Sequence, residues 1–237
     1  MANIIAIIPA RLDSSRLPGK QLLEIAGKPV LYYLTERLKS LKPLHKIVLA
    51  TTERDCDLPL VEWANRNGIA SFCGSVDDVL GRFLEAARYY NADYIIRANG
   101  DSPLLAPEII ITGLEQMLDE NLDFITGKNR LTGLPAGMGP EIITYKALEL
   151  LDMIALTDSY REHITTFIFD NKNKFRWKPI TTNTSWISPE IRLTLDTSDD
   201  YGMIERVMQL LLVNTIKPEK WTIEDIISNY KTVFKNL

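Results

Sequence analysis

Arg11, Arg16 and Lys20 place three cations within ten residues near the start of the chain, among Ser14, Ser15 and a single acid, Asp13. The whole chain carries a net charge of -4, so this loop is a local excess of positive charge. Such a loop suits an anion as large as a triphosphate, although a solvated basic surface loop has the same composition. Two carboxylates stand in comparable places further on. Asp101 lies in the turn Gly100-Asp101-Ser102-Pro103, and Asp196 ends the apolar run Leu193-Thr194-Leu195. Mg²⁺ takes hard oxygen ligands and binds through one or two carboxylates plus phosphates, which is what this pair offers. Asp101 equally suits an Asx-turn. Asp199 and Asp200 follow at once, but acids in the first turn of a helix answer its dipole, so Asp196 is kept as the ligand. A cationic loop facing two carboxylates makes a metal–triphosphate site, in which Arg11, Arg16 and Lys20 offset charge developing on a departing pyrophosphate. No Walker A sequence occurs, and no G-x-G-x-x-G follows the first strand, so neither the usual P-loop nor a dinucleotide fingerprint is offered.

The elements that must position these residues follow from periodicity. Residues 4–8 (IIAII) form an unbroken apolar run, as in a strand buried on both faces of a parallel sheet. Pro9 then ends the ladder, having no N–H to donate. Strands are expected at 46–51, 69–72, 93–98 and 122–126, alternating with helices at 29–41, 58–67, 76–90 and 106–118. That alternation predicts an α/β fold, a doubly wound and mostly parallel sheet. Ligands of such sheets bind outside the carboxyl ends of the strands, where the basic loop and Asp101 fall. The second half is less regular. Residues 127–139 hold four glycines and a proline and read as a mobile flap. Beyond them, 141–144, 175–181 and 191–195 read as strands, and 145–155, 159–170 and 199–212 as helices. Thr222 and Asp225 have the spacing of a capping box opening a last helix.

Composition narrows the class. With 46% hydrophobic and 24% charged residues, the 237-residue chain reads as one globular domain, with a small inserted lobe at roughly 127–190. Its acidity argues against a nucleic-acid or membrane-surface partner. Cys56 and Cys73 lack the number and spacing of a disulfide framework, and no secretory or transmembrane pattern is read, which together suggest a cytoplasmic protein.

Ile8-Pro9-Ala10-Arg11 followed by Ser15-Arg16-Leu17-Pro18-Gly19-Lys20 resembles the opening signature of the cytidylyltransferases that activate acidic sugars, both CMP-ketodeoxyoctonate synthetases and SpsF-like proteins. Gly74-Ser75-x-Asp77-Asp78-Val79-Leu80-x-Arg82, Arg97 to Leu104 (RANGDSPL), Arg161 to Thr165 and Arg192 to Thr197 are similar to the SpsF-like branch. The resemblance runs along nearly the whole chain. It implies a nucleotide-diphospho-sugar transferase type of fold and CTP as substrate. It implies that Ala10, Arg11, Ser14, Ser15, Arg16, Lys20 and Asn99 bind the nucleotide, with Asp78 and Arg82 beside the base or ribose. Asp101 and Asp196 would bind Mg²⁺, and Arg11, Arg16, Lys20 and Asp101 would carry the chemistry. The synthetases usually have a Gln-Gly-Asp-Glu-Pro turn where this chain has Asn99-Gly100-Asp101-Ser102-Pro103, which keeps the metal acid and leaves the acceptor open.

The inserted lobe is expected to hold that acceptor, an acidic or phosphorylated sugar of ulosonate type. Gly137 permits close backbone approach. Glu141 and His163 are candidates beside it, and Arg161 suits bidentate contact with a carboxylate or phosphate. His163 equally fits a helix surface or the core, and His45 and the four tryptophans read as structural. The resemblance further implies a homodimer formed through the lobe, and a role in surface polysaccharide or glycan synthesis. Two other readings stay open: a nucleotide-sugar-dependent glycosyltransferase of related fold, and a non-catalytic nucleotide-binding subunit.

Overall fold

The computed structural model describes residues 2–235. Its centre is a seven-stranded sheet. In chain order the elements are β1 (Ile4–Pro9), a small hairpin of β2 (Glu24–Ile25) and β3 (Lys28–Pro29), α1 (Val30–Lys39), β4 (Lys46–Thr52), α2 (Leu58–Arg66), β5 (Ala70–Gly74), α3 (Val79–Tyr89), β6 (Tyr94–Arg97), α4 (Pro107–Asp119) and β7 (Phe124–Thr126). There follow α5 (Asn129–Thr132), β8 (Glu141–Thr144), α6 (Tyr145–Ile154), α7 (Asp158–Glu162), α8 (Thr166–Asp170), β9 (Trp177–Pro179), α9 (Ser198–Asn214) and α10 (Ile223–Lys235).

The sheet order is β5-β4-β1-β6-β8-β7-β9. All neighbours are parallel except at β8, which runs against both β6 and β7. The carboxyl ends of β1, β4 and β6 therefore share one edge with the amino end of β8, where Arg97 pairs in register with Glu141. Strand alternation divides the core in two. On β1, Ile4, Ala6 and Ile8 pack into one cluster with α1, α2, α4, α9 and α10, while Ile5 and Ile7 pack into a second with α3, α6 and α8. Both faces are buried, as the apolar run of β1 predicts.

The first half follows the predicted alternation closely, and the second half, which has its strands at 141–144 and within 175–181 as expected, departs from it in three places. Residues 127–190 contribute β8 and β9 to the main sheet, so this segment is interleaved with the rest of the fold. Residues 127–139 contain α5 and two fully buried side chains, Leu134 and Met138. The predicted helix over 159–170 is split into α7 and α8 at His163, before the β-branched run Ile164-Thr165-Thr166. Thr165 is drawn inward there, donating its hydroxyl to the Glu141 carboxylate at 2.9 Å. Residues 191–195 alternate as a strand would, yet they join no ladder beyond a single bridge, Ala136 to Arg192. Their amides reach loops instead: Leu193 N–H donates to the Ala136 carbonyl at 2.8 Å and Leu195 N–H to the Asp101 carbonyl at 2.8 Å. The second bond brings Asp196 beside Asp101.

Candidate active site

The basic loop leaves β1 and is stapled to the end of β4. Leu12 N–H donates to the Asp57 carboxylate at 2.7 Å, and that fully buried carboxylate also accepts from Thr52 and Arg54. Burial pushes the Asp57 carboxyl up, but the Thr52 hydroxyl, the Leu12 amide and the Arg54 guanidinium outweigh it and hold the group below the usual carboxylate range. Gly19, at φ 66°, takes a left-handed turn that is natural for glycine. A turn of 3-10 helix over 20–22 then carries Lys20 inward to 8% exposure.

Lys20 Nζ lies 2.7 Å from Asp101 Oδ2 and 3.2 Å from Asp196 Oδ1. Arg16 reaches Asp196 at 3.0 Å, and Arg192 clasps Asp196 and Asp200. Asp200 also closes the capping box of α9 with Thr197. Among the described residues, no group of three or more His, Cys, Asp or Glu converges as a ready-made metal site. A Mg²⁺ ion needs only one or two carboxylates when phosphates complete its shell. Asp101 and Asp196 fit that requirement, because both reach a single cation, the Lys20 ammonium.

Two cavities adjoin this cluster. The first, of about 530 Å³, is lined by Ala10, Arg11, Ser14, Ser15, Arg16, Lys20, Arg82, Asn99 and Asp101, with Glu162 and His163 on its wall. Arg82 is 2% exposed; it donates to the Ser75 carbonyl, and its Nε has no partner. Burial lowers its pKa from the usual arginine value. The second cavity, of about 370 Å³, is lined by Gly137, Gly139, Glu141, Lys128, Arg130 and Thr194, among others. Arg97 and Asn99 line both, so they form the partition. Arg97 donates to Glu141 at 2.6 Å. A third groove, at the opposite edge by Lys39, His45 and Lys46, lies away from these groups.

The structure thus gathers ten of the candidate residues singled out in the sequence around one cleft, and sets Gly137 and Glu141 in its neighbour. His163 stands with the first cleft. Asp78 and Arg161 line neither cavity: Asp78 caps α3, accepting from Gly81 N–H at 2.8 Å, and binds Arg161, which also meets Asp152 at 2.8 Å. The hydrogen bond to Asp78 is the main reason the Arg161 pKa is raised. Sequence reasoning passed over Asp57, Lys128 and Arg130, and quoted Arg97 and Arg192 within motifs without giving either a role. Arg97 and Lys128 had a signal available, since each lies within two residues of the carboxyl end of a strand.

The family model described as Cytidylyltransferase matches residues 5–220, which span the sheet and both cavities. The chain belongs to the cytidylyltransferase family. This cytidylyltransferase is accordingly a nucleotidyltransferase. It is 30% identical over 214 residues to the spore coat polysaccharide biosynthesis protein SpsF of Bacillus subtilis, covering 88% of each chain. It is 32% identical over 144 residues to the 3-deoxy-manno-octulosonate cytidylyltransferase of Trichlorobacter lovleyi, covering 60% of this chain and 56% of that one. A solved cytidylyltransferase from Leptospira borgpetersenii superposes with a TM-score of 0.87 at 33% identity, over 100% of this chain and 95% of the other. The mostly parallel sheet expected from the sequence is thus the family fold. No described helix of the cytidylyltransferase is long and apolar enough to cross a membrane.

Proposed function

We propose that the protein transfers CMP from CTP to an acidic or phosphorylated sugar of ulosonate type, releasing pyrophosphate, with Mg²⁺ as cofactor. The observation that carries this is the pair of adjoining cavities. One is lined by the basic loop, Lys20 and Asp101, with Asp196 behind them on Lys20, and the other opens across the Arg97–Asn99 partition. CTP would lie in the first, with its triphosphate against Arg11, Ser14, Ser15, Arg16 and Lys20. The acceptor would lie in the second, in line with the α-phosphorus.

An acceptor oxygen attacks that phosphorus. The new O–P bond forms as the bond to the bridging oxygen breaks, pyrophosphate departs, and a hydroxyl acceptor's proton passes to solvent. Lys20 and Arg16 would meet the charge that grows on the leaving group, and reactants seated in the two adjoining cavities would be held close for in-line attack. Asp101 and Asp196 would hold Mg²⁺, which supplies neutralisation of phosphoryl charge there. The SpsF relative supports a place in surface polysaccharide or glycan synthesis. The free Cys56 and Cys73 are compatible with a reducing, cytoplasmic setting, and a homodimer is the expected working unit, to be read by sedimentation. Family membership favours nucleotidyl transfer over the glycosyltransferase and binding-subunit readings.

The test is pyrophosphate release with Mg²⁺ from CTP, UTP, ATP and GTP against a panel of acidic and phosphorylated sugars. A signal confined to CTP and an anionic sugar is expected, and Asp101→Ala should reduce it at least ~100-fold by removing a transition-state contact. Release that depends on CTP but needs no acceptor, or wild-type rates in Asp101→Ala, would refute the reading.

A further inference from the structure

The acceptor cavity has more positive charge than the fold itself uses. Of its lining residues Arg97, Lys128 and Arg130 are cationic, and Glu141 is the acid facing them. Glu141 is already engaged: it accepts from Arg97 on one oxygen and from the Thr165 hydroxyl on the other. Lys128 and Arg130 make no ion pair among the described residues. They are held another way. Lys128 Nζ stands 5.0 Å and Arg130 Cζ 5.5 Å from the centre of the same Phe169 ring, so one aromatic ring seats both cations.

Electrostatics at this corner agree. The Lys128 ammonium is pulled below its ordinary value, first by partial burial. Glu141 opposes that pull, while Arg130 and Arg97 add to it. Three cations against one carboxylate, itself already bonded to Arg97 and Thr165, leave a local excess of positive charge that attracts an anion. Two lining residues also have buried polar atoms without partners, Arg97 Nε and Thr194 Oγ1, and buried polar atoms normally have them. The walls between these groups are backbone. A Cβ on Gly137 would stand 2.7 Å from the Leu193 carbonyl oxygen, and one on Gly139 would stand 2.0 Å from that of Gly127. Both glycines thus let main-chain segments close on one another at the wall, and the cavity's volume of about 370 Å³ has room for a small sugar.

We infer that Lys128 and Arg130 bind the anionic group of the acceptor, and that they, with Arg97 at the partition, select a charged sugar over a neutral one. This rests on the two-cavity reading of the reaction above. It assigns acceptor recognition to a pair of residues at the start of α5, away from Arg161, whose guanidinium is taken up by Asp78 and Asp152. The shared chemistry is a sugar anion, carboxylate or phosphate.

The experiment loads the protein with Mg²⁺ and a non-hydrolysable CTP analogue, then titrates three probes by calorimetry: 3-deoxy-manno-octulosonate, a hexose 6-phosphate and the neutral hexose. At least one anionic probe should bind and the neutral hexose should not, and the anionic arm that binds identifies carboxylate or phosphate. Lys128→Met and Arg130→Gln should each weaken that probe by at least ~10-fold, as expected for removing one side of a charged contact. Lys128→Arg should retain most of its affinity, and affinity for the CTP analogue should not change in any variant. The inference is overturned if neither anionic probe binds the loaded wild type, if the neutral hexose binds as well as the anionic one, or if the Lys128→Met/Arg130→Gln double variant binds like wild type. Loss of CTP-analogue binding in the wild type itself would instead strike at the proposed function.

Discussion

Lys20 is the residue on which the site turns. Its ammonium sits between Asp101 and Asp196 at 2.7 and 3.2 Å, the position a divalent cation would take between the same carboxylates. A metal bound there would compete with the ammonium for the acids until a triphosphate arrived to draw the lysine away. Lys20→Met should therefore bind Mn²⁺ without nucleotide at least ~10-fold more tightly than wild type, since it removes the cation shared by both acids and leaves Asp101 without an ion pair, while Asp196 keeps Arg16 and Arg192. Titration followed by electron paramagnetic resonance reads this directly, and equal affinity in the two proteins would show that no competition exists. The same variant should bind CTP more weakly. Each of these three residues was legible in the sequence, Lys20 from the cluster of cations in its loop, Asp101 and Asp196 as acids that follow apolar runs. Their mutual contact was not legible, because Asp196 lies 95 positions after Asp101 and is drawn in by one main-chain bond from Leu195.

At the scale of elements, two joints hold the cavities in shape. The first is Asp57, which ties the basic loop to β4 through Leu12, Thr52 and Arg54. Asp57→Asn keeps the shape but drops the charge, and should cost about 1–3 kcal/mol in chemical denaturation. It should also raise the KM for CTP more than it lowers kcat. The folded carboxyl lies below its unfolded value, so its contribution is complete above the unfolded pKa of about 3.9 and fades as pH falls through the folded value. Melting temperature should accordingly fall less steeply on acidification in Asp57→Asn than in wild type, and parallel curves would show that Asp57 contributes nothing to the acid limb. The second joint is the crossing of Gly127 and Gly139, where Gly127 N–H donates to the Pro140 carbonyl at 2.7 Å. Gly139→Ala would drive a Cβ to 2.0 Å from the Gly127 carbonyl oxygen. Overpacking against main chain of this kind should cost about 1–3 kcal/mol, read by denaturant unfolding. The glycines marked this stretch in the sequence, but as a flap. Glycine's freedom on the page of a sequence is the same whether it serves motion or close packing, and only the partner segment tells the two apart.

Across the whole molecule, the first and last thirds of the chain meet at Arg37. Its guanidinium is fully buried and donates to the carbonyls of Leu105, Pro218 and Trp221 at 2.7 to 3.0 Å. Burial lowers its pKa to about 10, which still leaves it charged at neutral pH. Arg37→Met should strand those three carbonyls and lower stability by about 1–3 kcal/mol or more. The loss should appear in global unfolding, since α1 and the segment before α10 both rely on it; an unchanged unfolding midpoint would show the carbonyls to be satisfied otherwise. The sequence by itself determined the elements of the first half, the sheet type and the sheet edge at which charge gathers, because apolar periodicity and strand-end placement are local and repeat along the chain. Tertiary structure decided the rest. It reversed β8, spread 191–195 across loops, drew Arg161 to Asp78, and left Lys128 and Arg130 with no ion pair among the described residues. Those outcomes depend on which distant segment supplies the partner for a main-chain amide or a charge, and no local pattern carries that information.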